Sequence, residues 1–312
     1  MPASRPPRVL GVGIACLDYL FVAPWAEHGG YARLEAHLIQ GGGLVGSGLV
    51  AAARLGAQAE IWTWVGDDDE GRQVARGLRD EGVDVAHAQV IAGARQPVSF
   101  VHVEAGRGER TIYHGPRLSI PPHMIAALHD RPLSCDALLV DAVWPNASVI
   151  VARRARTAGV PVVGDFYPHT EAADLAREVT ALAVPAEAAD RSMPGLAREA
   201  QLRELAGTCA GFVAITAGSD GCYYLDAGHV RHQPAFRVEV VDTTGAGDVF
   251  HGALAYALAW GWPVTQSVEF ASAAAALSCR ALGGRTAAPT FAEALAVLRA
   301  EGSSAWSDPV TG

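Results

Sequence analysis

The order of apolar and polar positions predicts a chain in which short buried strands alternate with helices. Short apolar runs, the expected strands, lie at residues 9–13, 60–65, 137–140, 160–164, 181–184 and 211–215. Apolar or amphipathic stretches of helical length lie at 44–55, 148–158, 245–260, 264–280 and 291–300, and two more end near Gly82 and Gly207. Strands that alternate with helices usually pair in parallel and are covered on both faces. The pattern therefore predicts the α/β fold class, with helices on both faces of a mainly parallel sheet.

Two segments interrupt this alternation. Residues 98–103 and 109–113 alternate between apolar and polar positions around the turn Gly106-Arg107-Gly108, which predicts a β-hairpin. Residues 19–40 are expected to be irregular, with a turn at Gly29-Gly30. We expect the hairpin and this segment together to form a small accessory sheet beside the main one.

Composition narrows the class of protein. Half of the 312 residues are hydrophobic and 18% are charged, which suits two units or one large core with an inserted piece. The formal net charge of −9 argues against nucleic-acid binding, which requires a basic surface. No apolar run reaches the roughly 20 residues of a membrane span, and the proline-rich start lacks a signal-peptide core. Because the five cysteines are scattered without a CxxC pair, we expect reduced thiols and a cytoplasmic protein.

Residues 240–250 carry the clearest candidate chemistry. A β-branched run ends in Asp242-Thr243-Thr244, the turn Gly245-Ala246-Gly247 follows, and Asp248 opens a long apolar helix. Free amides at a helix N-terminus bind anions, and glycine lets an oxyanion approach the backbone closely. A carboxylate beside such a site fits a general base that deprotonates a hydroxyl as it attacks a phosphoryl group. The alternative is that Asp248 only interacts favourably with the helix dipole.

Two further motifs concern the first half of the chain. Gly41-Gly42-Gly43 precede a predicted helix that contains Gly46 and Gly48. Glycine inside a helix costs about 1 kcal/mol relative to alanine, so we expect either a ligand or a neighbouring helix to approach this helix closely. The acidic run within residues 66–71 has the composition of a magnesium site, but acidic residues also favour the first turn of a helix, and capping is the expected role.

Together these motifs resemble those of the ribokinase-like (PfkB) carbohydrate kinases. The triglycine, with a helix that ends in Arg54-Leu55-Gly56, and residues 65–71 resemble the N-terminal motif of that family. Residues 242–248 resemble its C-terminal motif. The resemblance implies a doubly wound, mainly parallel α/β core with a small β-sheet lid. The implied core comprises residues 1–13, 41–96 and 117–312, and the implied inserted lid comprises residues 14–40 and 97–116.

The resemblance also implies a reaction, the transfer of the γ-phosphoryl group of ATP to a sugar hydroxyl in the presence of Mg²⁺. Asp248 matches the catalytic base of the family. The positions that match its anion-binding amides are Gly245, Ala246 and Gly247. Asp18 matches an acid that binds sugar hydroxyls, and the glycines that match those packed against the sugar are Gly41, Gly42 and Gly43. The nucleotide-binding positions implied are Thr216, Gly218, Gly221 and Gly284.

The resemblance also covers the metal positions, and the chain departs from the family pattern at two places. Asp242 and Thr244 match positions that hold K⁺ in some members. The Asn-x-x-Glu motif behind the magnesium water shell is not intact, and Glu187 is its remnant. Gly46 replaces an asparagine that usually contacts the substrate, so one hydrogen bond to the acceptor is expected to be missing.

The substrate stays open between several classes. A ketohexose-type sugar or a sugar derivative is the expected substrate. Within the family, the sequence of residues 232–236 and 248–254 most resembles that of the sulfofructose kinases. A sulfonate needs cationic partners, and the candidates near the lid are Arg33, Arg107, Arg110 and Arg117. A nucleoside or hydroxymethylpyrimidine-type kinase would instead need aromatic residues, for which the candidates are Tyr19, Phe21, Trp25 and Trp144. A non-catalytic sugar or nucleotide sensor on the same fold is a further alternative.

Two expectations concern contacts. His251 lies on about the same helix face as Asp248, and either contacts a ligand or is a packed structural histidine. An exposed accessory sheet commonly needs a partner over its apolar face. We therefore expect a homodimer formed through the lid, with a sugar and ATP as the small-molecule partners.

Overall fold

The structure is a computed structural model that describes residues 5–106 and 110–301. Its strands are β1 (Arg8–Val12), β2 (Cys16–Ala23), β3 (Ala36–Gly42), β4 (Gln58–Gly66), β5 (Val83–Ile91), β6 (Val98–Glu104), β7 (Arg110–His114), β8 (Ala137–Asp141), β9 (Val162–Asp165), β10 (Ala181–Pro185), β11 (Phe212–Thr216), β12 (Cys222–Asp226) and β13 (His229–Gln233). Its α-helices are α1 (Leu44–Arg54), α2 (Asp69–Asp80), α3 (Pro122–Ala126), α4 (Pro145–Thr157), α5 (Ala173–Ala176), α6 (Ala186–Ser192), α7 (Arg198–Ala206), α8 (Ala246–Ala259), α9 (Val264–Ser278) and α10 (Phe291–Ala300). Among these helices, none is long and apolar enough to cross a membrane.

The main sheet is mixed and mostly parallel, as expected. Its strand order is β13-β12-β11-β10-β9-β8-β1-β4-β5. The strands pair in parallel except at one edge, where β12 and β13 are antiparallel to their neighbours. The order runs in opposite directions on either side of β1, and ligands of such doubly wound sheets bind beyond the carboxyl ends of the strands near this point.

Helices cover both faces of the main sheet. One buried cluster contains apolar residues of α1, α2, α8, α9 and α10, and the other contains those of α4 to α7. Because the central strands are buried on both sides, they appear in the sequence as continuous apolar runs, which is why their positions were predictable. The fold class predicted from the sequence is confirmed.

The second sheet has four strands in the order β3-β2-β6-β7. The predicted hairpin corresponds to β6 and β7, which pair antiparallel. The expectation that residues 19–40 are irregular is wrong at both ends, because residues 19–23 belong to β2 and residues 36–40 to β3, while residues 24–35 form no strand or helix. Apolar residues point to both faces of β2, with Tyr19 on one and Leu20 on the other, so the two-residue period is masked. Arg107, a candidate for sulfonate binding, lies outside the described residues.

The helix expectations are confirmed with small shifts in their ends. Helix α4 begins at Pro145 and not at Ser148, because proline suits the first helical position. Asp68 is the N-cap of α2 and accepts a hydrogen bond of 2.9 Å from the amide of Gly71. The acidic run therefore caps a helix, and the described residues contain no cluster of three or more His, Cys, Asp or Glu that could hold a metal ion.

Two glycines bring α1 and α8 together. A Cβ on Gly252 would overlap the carbonyl oxygen of Gly48, and a Cβ on Gly48 would lie 3.1 Å from the carbonyl oxygen of Asp248. For Gly48 the close neighbour is thus a helix and not a ligand. The contact fixes the first turns of α8 against α1 and so positions the residues that follow the motif at 242–248.

Candidate active site

The first turn of α8 forms an anion-binding site. Gly245 is its N-cap in the left-handed conformation (φ 73°), and no side chain of the described residues caps the helix. Gly247 is exposed, with open space where a Cβ would stand. The amide of Ala246 donates to the carbonyl oxygen of Thr243 at 3.3 Å, and the other amides of this turn can bind an anion through the backbone alone. A Cβ on Gly245 would lie 2.6 Å from Cα of Gly284, so the loop at Gly283-Gly284 packs against this N-cap.

Asp248 lies at the edge of this site and is partly exposed to solvent. Burial raises the pKa of its carboxyl well above the usual range, and the carboxylates of Asp165 and Asp18 raise it further. His251 and Arg110 act in the opposite direction. A carboxylate with a raised pKa is a stronger base, which suits proton removal from a hydroxyl.

Asp18 of β2 faces the same site from the lid. The thiol of Cys16 donates a hydrogen bond of 3.2 Å to its Oδ1. Burial raises the pKa of Asp18, whereas the charge of Arg285 lowers it. A Cβ on Gly42 would overlap the Asp18 carboxylate. The Asp18 carboxylate can therefore occupy this position only because residue 42 has no side chain.

The other two glycines of the triglycine have different roles. A Cβ on Gly41 would overlap the guanidinium of Arg285. Gly43 is the N-cap of α1 with φ 90°, and a Cβ there would lie 2.7 Å from the carbonyl oxygen of Ile14. Gly43 is thus required by its own backbone conformation, while Gly41 and Gly42 make room for charged side chains.

Arg285 is buried behind the triglycine, with 2% of its surface exposed. Its Nη2 donates to the carbonyl oxygen of Gly42 at 2.9 Å, and its Nε donates to Oγ of Ser47 at 3.4 Å. Burial lowers the pKa of Arg285, and the charges of Asp18 and Asp248 oppose that effect. Since a guanidinium stays protonated in proteins, Arg285 supplies a fixed positive charge that interacts with both carboxylates.

A lid residue reaches the turn that precedes α8. Nη1 of Arg110, the first residue of β7, donates a hydrogen bond of 2.7 Å to Oγ1 of Thr243. This contact joins the lid to the anion-binding turn. Of the other lid cations considered for a sulfonate, Arg33 and Arg117 are exposed.

Two buried carboxyls lie at the carboxyl ends of adjacent strands. Asp141 of β8 pairs with Asp165 of β9 in register. Oδ2 of Asp141 accepts from the amide of Ile14 at 2.6 Å, and burial raises the pKa of this carboxyl to about 6. Burial and the charge of Asp141 also raise the pKa of Asp165, to about 8.

His251 is packed beneath this site with 2% of its surface exposed. Nδ1 lies 2.7 Å from the carbonyl oxygen of Gly247, and Nε2 lies 2.9 Å from that of Ala183. Both ring nitrogens are engaged by the backbone. Of the two alternatives for His251, the packed histidine agrees with the structure.

Asp242, the first residue of the motif at 242–244, binds the loop at Gly283-Gly284. Oδ1 of Asp242 accepts from the amide (2.8 Å) and the hydroxyl (2.7 Å) of Thr244, and its Oδ2 accepts from the amide of Gly283 at 2.9 Å. Asp242 is therefore the residue that holds the anion-binding turn and the loop at Gly283-Gly284 together. Its oxygens keep further lone pairs, so they also suit a monovalent cation.

The predicted nucleotide loop follows β11. Thr216 ends that strand, and Gly218 (φ 53°) and Gly221 (φ 87°) shape the turn after it. A Cβ on Gly221 would overlap the carbonyl oxygen of Gln233, so this glycine is needed where the loop meets β13. Gly284, by contrast, contacts the anion-binding turn itself.

Glu187 lies exposed in the first turn of α6, directly after β10. Mg²⁺ keeps several waters and is usually held by one or two carboxylates together with substrate phosphates. A single exposed carboxylate at a strand end fits that donor set, in which the nucleotide brings the ion.

Several residues of this site were not found from the sequence. Arg285 and Asp165 lie near Asp18 or Asp248 only because of the tertiary fold, whereas Cys16 lies two residues before Asp18 on the same face of β2. Asp165 had one local signal, since it is an acid at the end of an apolar strand, where ligand-binding residues of α/β sheets occur. Arg285 had only its position directly after Gly283-Gly284.

Comparisons with known proteins agree with this geometry. Residues 41–291 match the model of the pfkB family of carbohydrate kinases. The ATP-dependent ribose-1-phosphate kinase of Halopiger xanaduensis is 30% identical over 299 residues, which cover 94% of this chain and 98% of that protein. Fructokinase-1 of Zea mays is 27% identical, with 93% and 97% covered. A solved ribokinase-like structure from Agrobacterium tumefaciens is 34% identical, with a TM-score of 0.83 and 95% and 98% of the two chains covered.

Proposed function

This chain belongs to the pfkB family of carbohydrate kinases, and from that premise we propose that it transfers the γ-phosphoryl group of ATP to a hydroxyl of a ketohexose-type sugar or a sugar derivative, with Asp248 as the general base. The observation that carries the proposal is the pairing of an uncapped helix N-terminus with a carboxylate of raised pKa in the same turn. In this arrangement the amides bind the phosphoryl group while the carboxylate removes the proton of the attacking hydroxyl.

Each group has a defined part in this reaction. Asp18 accepts hydrogen bonds from acceptor hydroxyls and orients one of them towards Asp248. Asp248 removes the proton of that hydroxyl as its oxygen attacks the γ-phosphorus. The amides of Gly245, Ala246 and Gly247 donate to the phosphoryl oxygens, where charge accumulates in the transition state. The positive charge of Arg285 favours the ionised form of Asp18, and the charges of His251 and Arg110 favour that of Asp248.

The nucleotide and ions follow from the same proposal. The loop at Thr216, Gly218 and Gly221 and the loop at Gly284 bind ATP. Mg²⁺ neutralises phosphate charge when bound, and Glu187 would hold its water shell. Asp242 and Thr244 are the proposed positions for an activating K⁺. A kinase that uses ATP is expected in the cytoplasm.

A sugar derivative with an anionic group is the second candidate, and Arg110 favours it. This lid cation contacts Thr243 directly beside the anion-binding turn. A phosphate or sulfonate on the acceptor would find a guanidinium there. The kinase of Halopiger xanaduensis named above acts on a phosphorylated sugar. A sulfofructose kinase stays within this candidate class.

A nucleoside or hydroxymethylpyrimidine kinase is disfavoured. Tyr19 and Phe21 occupy the face of β2 opposite to Asp18, because successive strand residues alternate between faces. Trp144 is buried in the core and donates to the carbonyl oxygen of Leu118. Tyr19, Phe21 and Trp144 would therefore not stack on a base bound at Asp18, and the exposed ring of Trp25 packs edge-on against His102. A non-catalytic sensor is disfavoured because Asp248 is present.

We also propose a homodimer through the lid. Ile39, Tyr19, Phe100 and Tyr113 form one cross-strand row over all four lid strands. Ile39, Phe100 and Tyr113 expose 52%, 49% and 54% of their surface. A second lid would bury this row. Light scattering of the wild-type protein and of Phe100→Asp at micromolar concentration tests it: a dimer converted to a monomer supports it, and a wild-type monomer contradicts it.

The substrate is tested by ATP consumption with a panel of acceptors. The panel contains ketoses, aldoses, sugar phosphates, a sulfosugar and nucleosides, each with Mg²⁺ and with K⁺ or Na⁺. We expect turnover with a ketohexose or an anionic sugar derivative. Turnover with nucleosides alone would contradict the acceptor assignment, and equal rates in K⁺ and Na⁺ would contradict the potassium assignment.

A further inference from the structure

The groups around His251 determine whether its imidazole ring carries one N–H proton or two. A neutral imidazole has one N–H and one nitrogen that can only accept. Both ring nitrogens of His251 face backbone carbonyl oxygens, which also only accept, at 2.7 Å (Gly247) and 2.9 Å (Ala183). In a neutral ring, one of these contacts would oppose two lone pairs at hydrogen-bond distance. Both contacts are hydrogen bonds only when both nitrogens carry a proton.

A counter-ion for such a ring is present. Oδ2 of Asp165 lies 3.3 Å from Nδ1 of His251. That oxygen is buried and accepts no hydrogen bond from the described residues. A buried carboxylate without a partner is costly, and an adjacent imidazolium removes most of that cost.

We propose that His251 is a buried imidazolium, ion-paired with Asp165, and that it positions the Gly247–Asp248 peptide for phosphoryl transfer. The second half of this inference rests on the proposed function, because it assigns His251 a part in the reaction of Asp248. The first half, the charge of the ring, does not.

The charged groups around the ring act in both directions. Burial is the largest influence on the pKa of His251 and lowers it below the ordinary value, while the two carbonyl contacts and the charge of Asp248 act in the opposite direction. The contact of 3.3 Å with Asp165 adds a counter-ion for the charged ring. Asp165 faces the ring from β9, and Asp141 on β8 raises the pKa of Asp165. The ring and Asp165 therefore hold one proton between them at neutral pH. The two carbonyl oxygens place that proton on the ring.

The positive charge of His251 lies close enough to the Gly247–Asp248 peptide to affect the groups that react. The carbonyl of Gly247 and the amide of Asp248 belong to one planar peptide unit. A hydrogen bond from an imidazolium to that carbonyl fixes the plane of the peptide. It also makes the Asp248 amide a stronger donor, which joins the amides of Gly245, Ala246 and Gly247 at the phosphoryl group. The same positive charge favours the ionised form of Asp248. His251 is thus a positioning residue that touches neither substrate.

The ring charge is tested by proton-detected ¹⁵N NMR of the wild-type imidazoles at pH 7.5, with the signal assigned by its absence in His251→Asn. We expect two N–H protons on this ring at pH 7.5, although this pH is higher than the ordinary histidine pKa of about 6.5. A single N–H would overturn the proposal. This measurement needs no substrate, so it decides the charge even if the proposed reaction is wrong. Should His251→Asn fail to fold, His251→Gln provides the assignment.

The role in the reaction is tested by pH profiles of kcat. For His251→Asn we expect kcat to fall about 10- to 100-fold, less than for loss of a direct donor, with KM unchanged and the acidic limb moved to higher pH. Adding Asp165→Asn removes the uncompensated carboxylate and is expected to return the limb towards the wild-type position. The control is His87→Asn, at the partly exposed contact of 2.8 Å between His87 and Glu60 near the sheet edge. An acidic limb that stays in place in His251→Asn would show a packing role only and overturn the proposal.

Discussion

Gly42 and Asp18 are packed so closely that a Cβ on residue 42 would overlap the carboxylate of residue 18. The two residues lie on neighbouring lid strands, β3 and β2, and Cys16 holds the other oxygen of the carboxylate. The orientation of the proposed acceptor-binding group is therefore set by the absence of a side chain. The backbone of Gly42 does not have a positive φ, so this requirement is one of space alone.

The first prediction concerns Gly42→Ala. The added methyl group displaces Asp18 and so misplaces the acceptor hydroxyl, for which we expect a loss of about 100-fold in kcat/KM. ATP binding should stay unchanged, because the nucleotide loops lie elsewhere. Steady-state kinetics and calorimetric ATP titration measure the two effects. Gly77→Ala is the control, since a Cβ there meets nothing within 4 Å in α2. Equal kcat/KM in both variants would contradict the role of Gly42.

The second prediction concerns the contact between lid and turn. Arg110→Ala and Thr243→Val each remove the hydrogen bond, and we expect each to raise KM for the acceptor and lower kcat. The double variant should be no worse than either single one, because both changes remove the same interaction. The free energy of unfolding should change by no more than about 2 kcal/mol, since this single hydrogen bond is exposed to solvent. Arg203→Ala on the surface of α7 is the control, and additive effects of the two changes would argue against a shared role.

The third prediction concerns Asp141 and the pH dependence of stability. The folded pKa of about 6 is higher than the unfolded value of 3.8, so the folded state binds more protons between these two pH values. The stability contributed by this carboxyl is present below about pH 4 and is lost as the pH rises through about 6. Two pKa units correspond to about 3 kcal/mol.

Denaturant unfolding of the wild type and of Asp141→Asn measures this effect. An asparagine does not titrate, so we expect the free energy of unfolding of the wild type to fall relative to the variant between pH 4.5 and pH 7. A difference that is the same at both pH values would show that the Asp141 carboxyl does not have a raised pKa in the folded protein.

The sequence was sufficient for the parts of the site that depend on local structure. The turn at Gly245, Ala246 and Gly247 is built from adjacent residues, and a strand, a glycine turn and a helix start are visible as a pattern. The central strands were equally visible, because burial on both faces makes them apolar throughout. Strand β5 was missed, because this edge strand carries Asp84, Ala86 and His87, residues with low or ordinary strand preference.

The acceptor side could not be predicted to the same depth. Asp18 packs against Gly42 of β3 and interacts with the charge of Arg285, which lies in a loop more than 240 residues after Gly42. No local period records such a contact. The charge of His251 likewise depends on which backbone atoms surround the ring, and those belong to α8 and β10.

The most direct test of the account is turnover by Asp248→Asn with the best acceptor found in the substrate panel. Asparagine keeps the size of the side chain but cannot take the proton, so we expect kcat to fall about 10²- to 10⁴-fold. Circular dichroism and calorimetric ATP titration should match the wild type. Turnover near the wild-type rate in a folded, ATP-binding Asp248→Asn would contradict the assignment of Asp248 as the base of a sugar kinase.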